Sequence, residues 1–127
     1  MEICIYEEQL LAAKILGKIC KNNPERSLNL IKKFTKGIFD WSVCDTLATQ
    51  GIKGIAKIRQ REILNLSRKL ISSKNLWQRR FALVVLINYK KDKELRKSIL
   101  EIIKKAKADK EIYVKKALYW LEKEIRV

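Results

Sequence analysis

Asn75-Leu76-Trp77-Gln78-Arg79-Arg80-Phe81-Ala82-Leu83-Val84-Val85-Leu86-Ile87-Asn88-Tyr89 opens on a capping residue and runs into an unbroken apolar stretch. Asn75 is followed three residues on by Gln78, the spacing of a capping box, in which a short polar side chain accepts from the first free amides of a helix. From Phe81 to Ile87 there is no charge, glycine or proline. The stretch therefore predicts a helix that ends at Tyr89 and is the most buried of the chain. At about 100° per residue, Trp77 and Arg80 fall on one side of it and Ala82, Val85 and Leu86 on the other. An aromatic and a guanidinium thus share the polar side of a core helix.

Working outward, the same periodicity continues in both directions. Glycine and proline are scarce, strand-like alternation is missing and charges recur at helical spacing, so the chain reads as all α with about seven helices. The first runs from about Glu2 to Cys20. Asn23-Pro24-Glu25 supplies a cap, a first-turn proline and an early acid for the second, to about Lys36. Asp40 caps the third, from Trp41 to Gln50 and past the weak points Gly51 and Gly54, and the fourth spans roughly Gln60 to Ile71. After the quoted helix, Asp92 starts a sixth with the stripe Leu95, Ile99, Ile102, Ile103, Ala106. Asp109 starts a seventh with Val114, Ala117, Leu118, Leu121, Ile125.

Trp41 and Trp77 recur 36 residues apart at the starts of two helices, a period in the range of α-solenoid units. HEAT-like helical repeats in a single domain over residues 1–127 are the expectation; an up-and-down bundle explains the periodicity as well.

The formal charge is +15, from 29 Lys and Arg against 14 Asp and Glu. Self-repulsion of that size points to a polyanionic partner, nucleic acid first. The densest part, Lys53 to Arg80, holds Lys53, Lys57, Arg59, Arg61, Arg68, Lys69, Lys74, Arg79 and Arg80 against the one acid Glu62. A solvated lysine-rich face is the plain alternative. Histidine is absent, which removes the commonest general base and metal ligand near neutral pH. No metal and no cofactor is expected. Cys4, Cys20 and Cys44 lack paired spacing and read as small buried hydrophobes in a reducing compartment. No apolar run reaches membrane-spanning length and the start carries Glu2, Glu7 and Glu8, so a cytoplasmic protein without membrane association is expected.

Helical arithmetic places Trp41 and Asp45 in one narrow arc of the third helix, with Val43 and Leu47 nearly opposite. In the seventh, Tyr113, Lys116 and Trp120 form a stripe about a third of a turn from the apolar one. Cations that neutralise phosphates, mixed with flat aromatics that contact sugars or bases, suit a nucleic-acid backbone. Each Trp also reads as a packing wedge between repeats, and Asp45 as an ordinary helix carboxylate paired with Lys or Arg. A carboxylate beside aromatics and cations stabilises a developing positive charge or orients water onto it, the charge pattern of glycosidic bond cleavage. Arg80 is suited to a forked grip on phosphate.

Three segments in order, Trp41-Ser42-Val43-Cys44-Asp45, Asn75-Leu76-Trp77-Gln78-Arg79-Arg80-Phe81-Ala82 and Val114-Lys115-Lys116-Ala117-Leu118-Tyr119-Trp120, resemble the AlkD-type DNA alkylation repair glycosylases. Those proteins have a Trp-x-x-x-Asp turn, an Asn-x-Trp-x-x-Arg-x-Ala helix start and a Lys-Ala-x-x-Trp helix at comparable intervals. The resemblance implies a HEAT-like superhelix whose basic concave face cradles duplex DNA, and excision of cationic alkylated purines such as 3-methyladenine or 7-methylguanine. It implies that Trp41 and Trp120 contact the deoxyribose, that Asp45 stabilises an oxocarbenium-like sugar and positions water, and that Arg80 grips the backbone. Arg79, Lys116, Tyr113, Trp77, Lys53 and Lys57 complete the expected DNA-binding set. The family is similar to an exception to base flipping, with contact through sugar and phosphate. The likeness begins at about Tyr6 and corresponds to the middle and later parts of a typical member, with Tyr119 where a small residue is usual. A protein partner or self-association is expected to complete the shortened cradle. Two other readings stay open from the residues: a non-catalytic nucleic-acid-binding repeat module, and a scaffold for an acidic protein.

Overall fold

The computed structural model describes the backbone of residues 2–126 and the side chains of 5–126, so Cys4 lies outside the described side chains. Seven α-helices and no strand occur among the described residues: α1 Glu2–Ile19, α2 Pro24–Thr35, α3 Trp41–Thr46, α4 Gln60–Leu70, α5 Leu76–Val84, α6 Arg96–Ala106 and α7 Ile112–Ile125. The chain is all α, and α5 with its short 3₁₀ extension Val85–Tyr89 is buried from Arg80 to Tyr89 apart from Asn88, as its apolar run requires.

Caps fix where the helices begin. Asn23 accepts from the Arg26 amide at 3.2 Å, and Asp40 from those of Ser42 and Val43 at 2.8 and 3.4 Å. Asn75 accepts from the Trp77 and Gln78 amides, but the return bond of a capping box is absent. Gln78 reaches instead across to α2, donating to Thr35 Oγ1 at 3.1 Å, and Ser73 Oγ takes the Asn75 amide in its place. Asp92 and Asp109 were expected to open α6 and α7. Each caps the turn before its helix, accepting from the Glu94 and Leu95 amides and from the Glu111 amide, and the helices start later, at Arg96 and Ile112.

The third helix departs most from expectation. It is α-helical only to Thr46, widens into a π turn over Leu47–Gly51 and gives way to turns up to Arg59. The cause is the crossing of α1: a Cβ on Gly17 would stand 2.2 Å from the Gln50 carbonyl oxygen, so only glycine admits this approach. Side chains take up carbonyls along the widened stretch. Thr49 Oγ1 donates to the Asp45 carbonyl at 2.7 Å, and Asn88 Nδ2 donates to that of Ala48 at 2.8 Å. Such local insertions satisfy a backbone whose regular ladder is interrupted.

Packing runs in succession from α1 to α3, α3 to α5 and α5 to α7, while α4 lies on α5 and α6 on α7. This succession is compatible with the HEAT-like superhelix expected from the sequence. One apolar cluster, from Ala13 and Leu16 through Phe81 and Leu86 to Leu121 and Ile125, threads all seven helices. The starts of α3, α5 and α7 are thereby brought side by side.

Candidate functional site

Three of those helix starts are tied together by one side chain. Arg80, in the second turn of α5, is 7% exposed. Its Nε donates to Asp45 Oδ1 at 2.9 Å and its Nη2 to Asp45 Oδ2 at 2.8 Å, a two-bond fork onto α3. Its Nη1 donates to the Tyr113 carbonyl at 2.7 Å, at the first turn of α7. That carbonyl was not legible as a partner, because nothing in a sequence marks which main-chain oxygen faces a neighbouring helix. Burial by itself lowers the Arg80 pKa, but the hydrogen bonds and charge of Asp45 outweigh it and raise the guanidinium above its ordinary value. Arg80 is charged at every accessible pH.

The Asp45 side chain is 17% exposed, so the clamped residue is not sealed from solvent. An ionised carboxylate offers about four lone-pair positions; Arg80 occupies two of them. One turn earlier, Trp41 is 51% exposed. Its helix start is pinned from α1: Tyr6 and Ser42 share a hydroxyl–hydroxyl hydrogen bond of 2.6 Å, and Ser42 Oγ donates to Asp40 Oδ2. Tyr6 escaped the sequence reading because its partner lies 36 residues away.

Trp77 is half-buried against the core, and its ring meets that of Tyr113 with centroids 5.0 Å apart and planes inclined by 42°. This tilted pair joins α5 to α7 beside the Arg80 clamp, where it serves packing as well as surface. Lys116 is exposed, and Trp120 is half-buried against the core on the same α7 face as Tyr113 by helical spacing. Beneath the clamp Cys44 is fully buried. Burial first, then the Asp45 charge, pushes its thiol far above the usual range, so it is inert as a nucleophile. Cys20 is likewise buried and unpaired.

Other expected residues lie elsewhere or are otherwise engaged. Arg80 is not the free guanidinium pictured for a phosphate grip, since three of its N–H groups are committed inside the protein. Arg79 donates through Nε to Asp109 Oδ2 at 2.6 Å and through Nη1 to the Ser73 and Lys74 carbonyls, clipping the α4–α5 linker to the turn before α7. Lys53 and Lys57 are exposed in the turns after the π segment. That segment packs against the far end of α1, where Gly54 meets Cys20 and Lys21, and the far end of α5, where Tyr89 donates to the Ala56 carbonyl. They therefore lie towards the opposite ends of α1 and α5 from the Arg80 clamp. A groove of about 610 Å³ between α2 and α4, lined by Lys32, Lys36 and Lys69, includes none of Trp41, Asp45, Arg80 or Trp120.

Among the described residues no group of three or more His, Cys, Asp or Glu side chains is placed to hold a metal ion, and no helix is long and apolar enough to cross a membrane. A family model described as DNA alkylation repair enzyme matches residues 2–125. The chain therefore belongs to the DNA alkylation repair family. No curated protein and no solved structure matches it.

Proposed function

We propose, on the premise of that membership, that the chain binds duplex DNA and hydrolyses the N-glycosidic bond of cationic alkylated purines of the 3-methyladenine and 7-methylguanine class. The observation that carries the reading is the Asp45 carboxylate. It is locked by a two-bond fork from Arg80, belongs to a side chain that keeps 17% of its surface exposed and lies one turn from a half-exposed Trp41.

A purine alkylated on a ring nitrogen bears a positive charge. When its C–N bond breaks, the electron pair goes to the base, which leaves neutral and needs no proton from an acid. Positive charge then develops on the sugar. A pre-oriented carboxylate stabilises it without reorganising at the moment of reaction. The two lone-pair positions left on Asp45 accept from a water. As that water adds to the sugar carbon, its proton passes to the carboxylate and on to solvent. Trp41 and Trp120 contact the deoxyribose, the Trp77–Tyr113 pair forms the adjoining wall, and Lys116 neutralises phosphate. Arg80 acts as a positioning residue for Asp45, and Lys53 and Lys57 meet the duplex away from the reacting sugar.

The test is release of 7-methylguanine from methylated duplex by the purified protein and by Asp45→Asn, with duplex affinity measured alongside. Release by the wild type, lost in the variant while affinity is kept, supports the mechanism; equal release by both removes Asp45 from it. A second reading, a module that binds alkylated or distorted duplex without cleaving it, is favoured by the same fork, because occupied carboxylate oxygens are also those of an architectural ion pair. It expects duplex binding with no release from either protein.

A further inference from the structure

Helix α1 is apolar on two sides. Ala13 and Leu16, followed by Cys20 in the turn after the helix, enter the core. On another face Leu11 is 58% exposed, Ile15 47% and Ile19 50%, and Leu30 of α2 continues the strip at 45%. α1 and α2 run antiparallel, as the bonds from Gln9 Nε2 to the Gly37 carbonyl and from Ser27 Oγ to the Cys20 carbonyl fix. Between them lies an open groove of about 530 Å³ floored by Ile15, Ile19, Leu30 and Phe34, with Lys33 on its α2 wall. Four large aliphatic side chains this exposed and contiguous are more than scattered surface residues, and such strips mark interaction surfaces.

The charges beside the strip identify its occupant. Glu7 and Glu8 stand at one end of α1 and Lys14 and Lys18 towards the other, all exposed, and none joins an ion pair among the described residues. Glu7 and Lys18 fall on the same edge of the strip, within about 20° of each other around the helix. A second α1 laid antiparallel, with the two-fold axis level with Ala13, sets Leu11 against Ile15 and Glu7 beside Lys18 of the other copy. The pattern is self-complementary under a two-fold axis, as an isologous interface demands.

We infer that the exposed face of α1 and the adjoining edge of α2 form a homodimer interface, in which Leu11, Ile15, Ile19 and Leu30 make the apolar centre and Glu7 pairs with Lys18 of the second copy. A wholly acidic or wholly basic helix satisfies one half of this edge and opposes the other. Only a segment of mixed and reversed polarity matches both, and α1 itself is one.

The interface is tested by sedimentation equilibrium of the full chain and four variants at low salt, with circular dichroism to show that each remains helical. All the changed side chains are exposed, so folding is spared. The wild type is expected to dimerise with concentration, and Ile15→Ser to stay monomeric. Glu7→Lys and Lys18→Glu each place like charges together and should weaken association about tenfold. Glu7→Lys combined with Lys18→Glu restores opposite charges in both pairs and should return the dimer to within about threefold of wild type. A double variant no better than the singles overturns the proposed register. A wild type that stays monomeric overturns the interface, as does a monomer whose Ile15 face is instead taken up by vesicles of anionic lipid.

Discussion

Removing the charge of Asp45 tests whether the Arg80 fork is a working unit or a surface ornament. Two unit charges about 4 Å apart attract by about 4 kcal/mol at an effective dielectric constant of about 20. Desolvation of the guanidinium, 7% exposed, offsets part of this. Deleting one partner of a fully buried pair costs about 3–5 kcal/mol; with the Asp45 side chain 17% exposed, Asp45→Asn should cost about 2–3 kcal/mol. Arg80→Met removes the fork together with the bond to the Tyr113 carbonyl and should cost a similar amount. If the two residues act on each other, the double variant costs about 3 kcal/mol rather than the sum, a coupling of about 2 kcal/mol. Urea unfolding followed by circular dichroism measures all three, and a domain with about 5–15 kcal/mol in hand remains folded throughout. Losses that add to within about 0.5 kcal/mol would refute the unit. The same variants separate positioning from gripping. Loss of a phosphate contact lowers the slope of log affinity against log salt by about 0.9, whereas Arg80→Met, with three of its N–H groups spent internally and the residue 7% exposed, should leave the slope unchanged while base release falls.

Three further outcomes follow from particular contacts. Gly17→Ala forces a Cβ to within 2.2 Å of the Gln50 carbonyl oxygen, so α1 must lift off the π turn at about 1–3 kcal/mol; an unchanged urea midpoint would remove that crossing. Burial raises the Tyr89 hydroxyl and the Cys44 thiol above their ordinary values. Their contribution to stability is complete below the unfolded-state values, about 8.5 for Cys and about 10 for Tyr, and is lost as pH rises beyond them. Unfolding free energy should therefore decline from about pH 8.5 upward, and Cys44→Ala should delay the onset towards about pH 10, as urea titrations across that range would show. Trp41→Ala removes a side chain that is 51% exposed and should shift stability by less than about 1 kcal/mol while abolishing 7-methylguanine release; normal release would take Trp41 out of the proposed sugar contact.

What the sequence made legible was what depends on neighbours along the chain. The Asn75 and Asp40 caps, the proline start of α2 and the burial of Phe81 to Ile87 follow from spacing within one or two turns, and the structure has them so. What escaped depends on contacts across the fold. The π turn at Leu47 is set by Gly17, thirty residues earlier in the chain. Gln78 abandons its capping role for Thr35 on another helix. Asp109 looks like a helix start, but it caps a turn and holds Arg79. For the site, periodicity correctly put Trp41 and Asp45 on one arc, and it put Arg80 on the polar side of α5. It could not show that this polar side is turned inward against α3 and α7, where the guanidinium becomes the joint between them.

That joint bears on the choice of leaving group in the proposed reaction. An Asp45–Arg80 pair is nearly neutral at a distance, so in the proposed reaction it acts at short range, on a group brought against the partly exposed Asp45 side chain beside Trp41. Histidine is absent, and Cys44 is buried and held protonated, so neither supplies a proton to a departing base. A neutral purine leaves poorly without such a proton, whereas an alkylated one carries its own positive charge. Selection between them then requires no pocket that reads the base: a site that stabilises only the sugar cation accelerates bonds whose leaving groups are already activated. The proposed chemistry is accordingly tied to lesion charge, and a neutral alkylated base in the same duplex should be released no faster by the protein than in its absence.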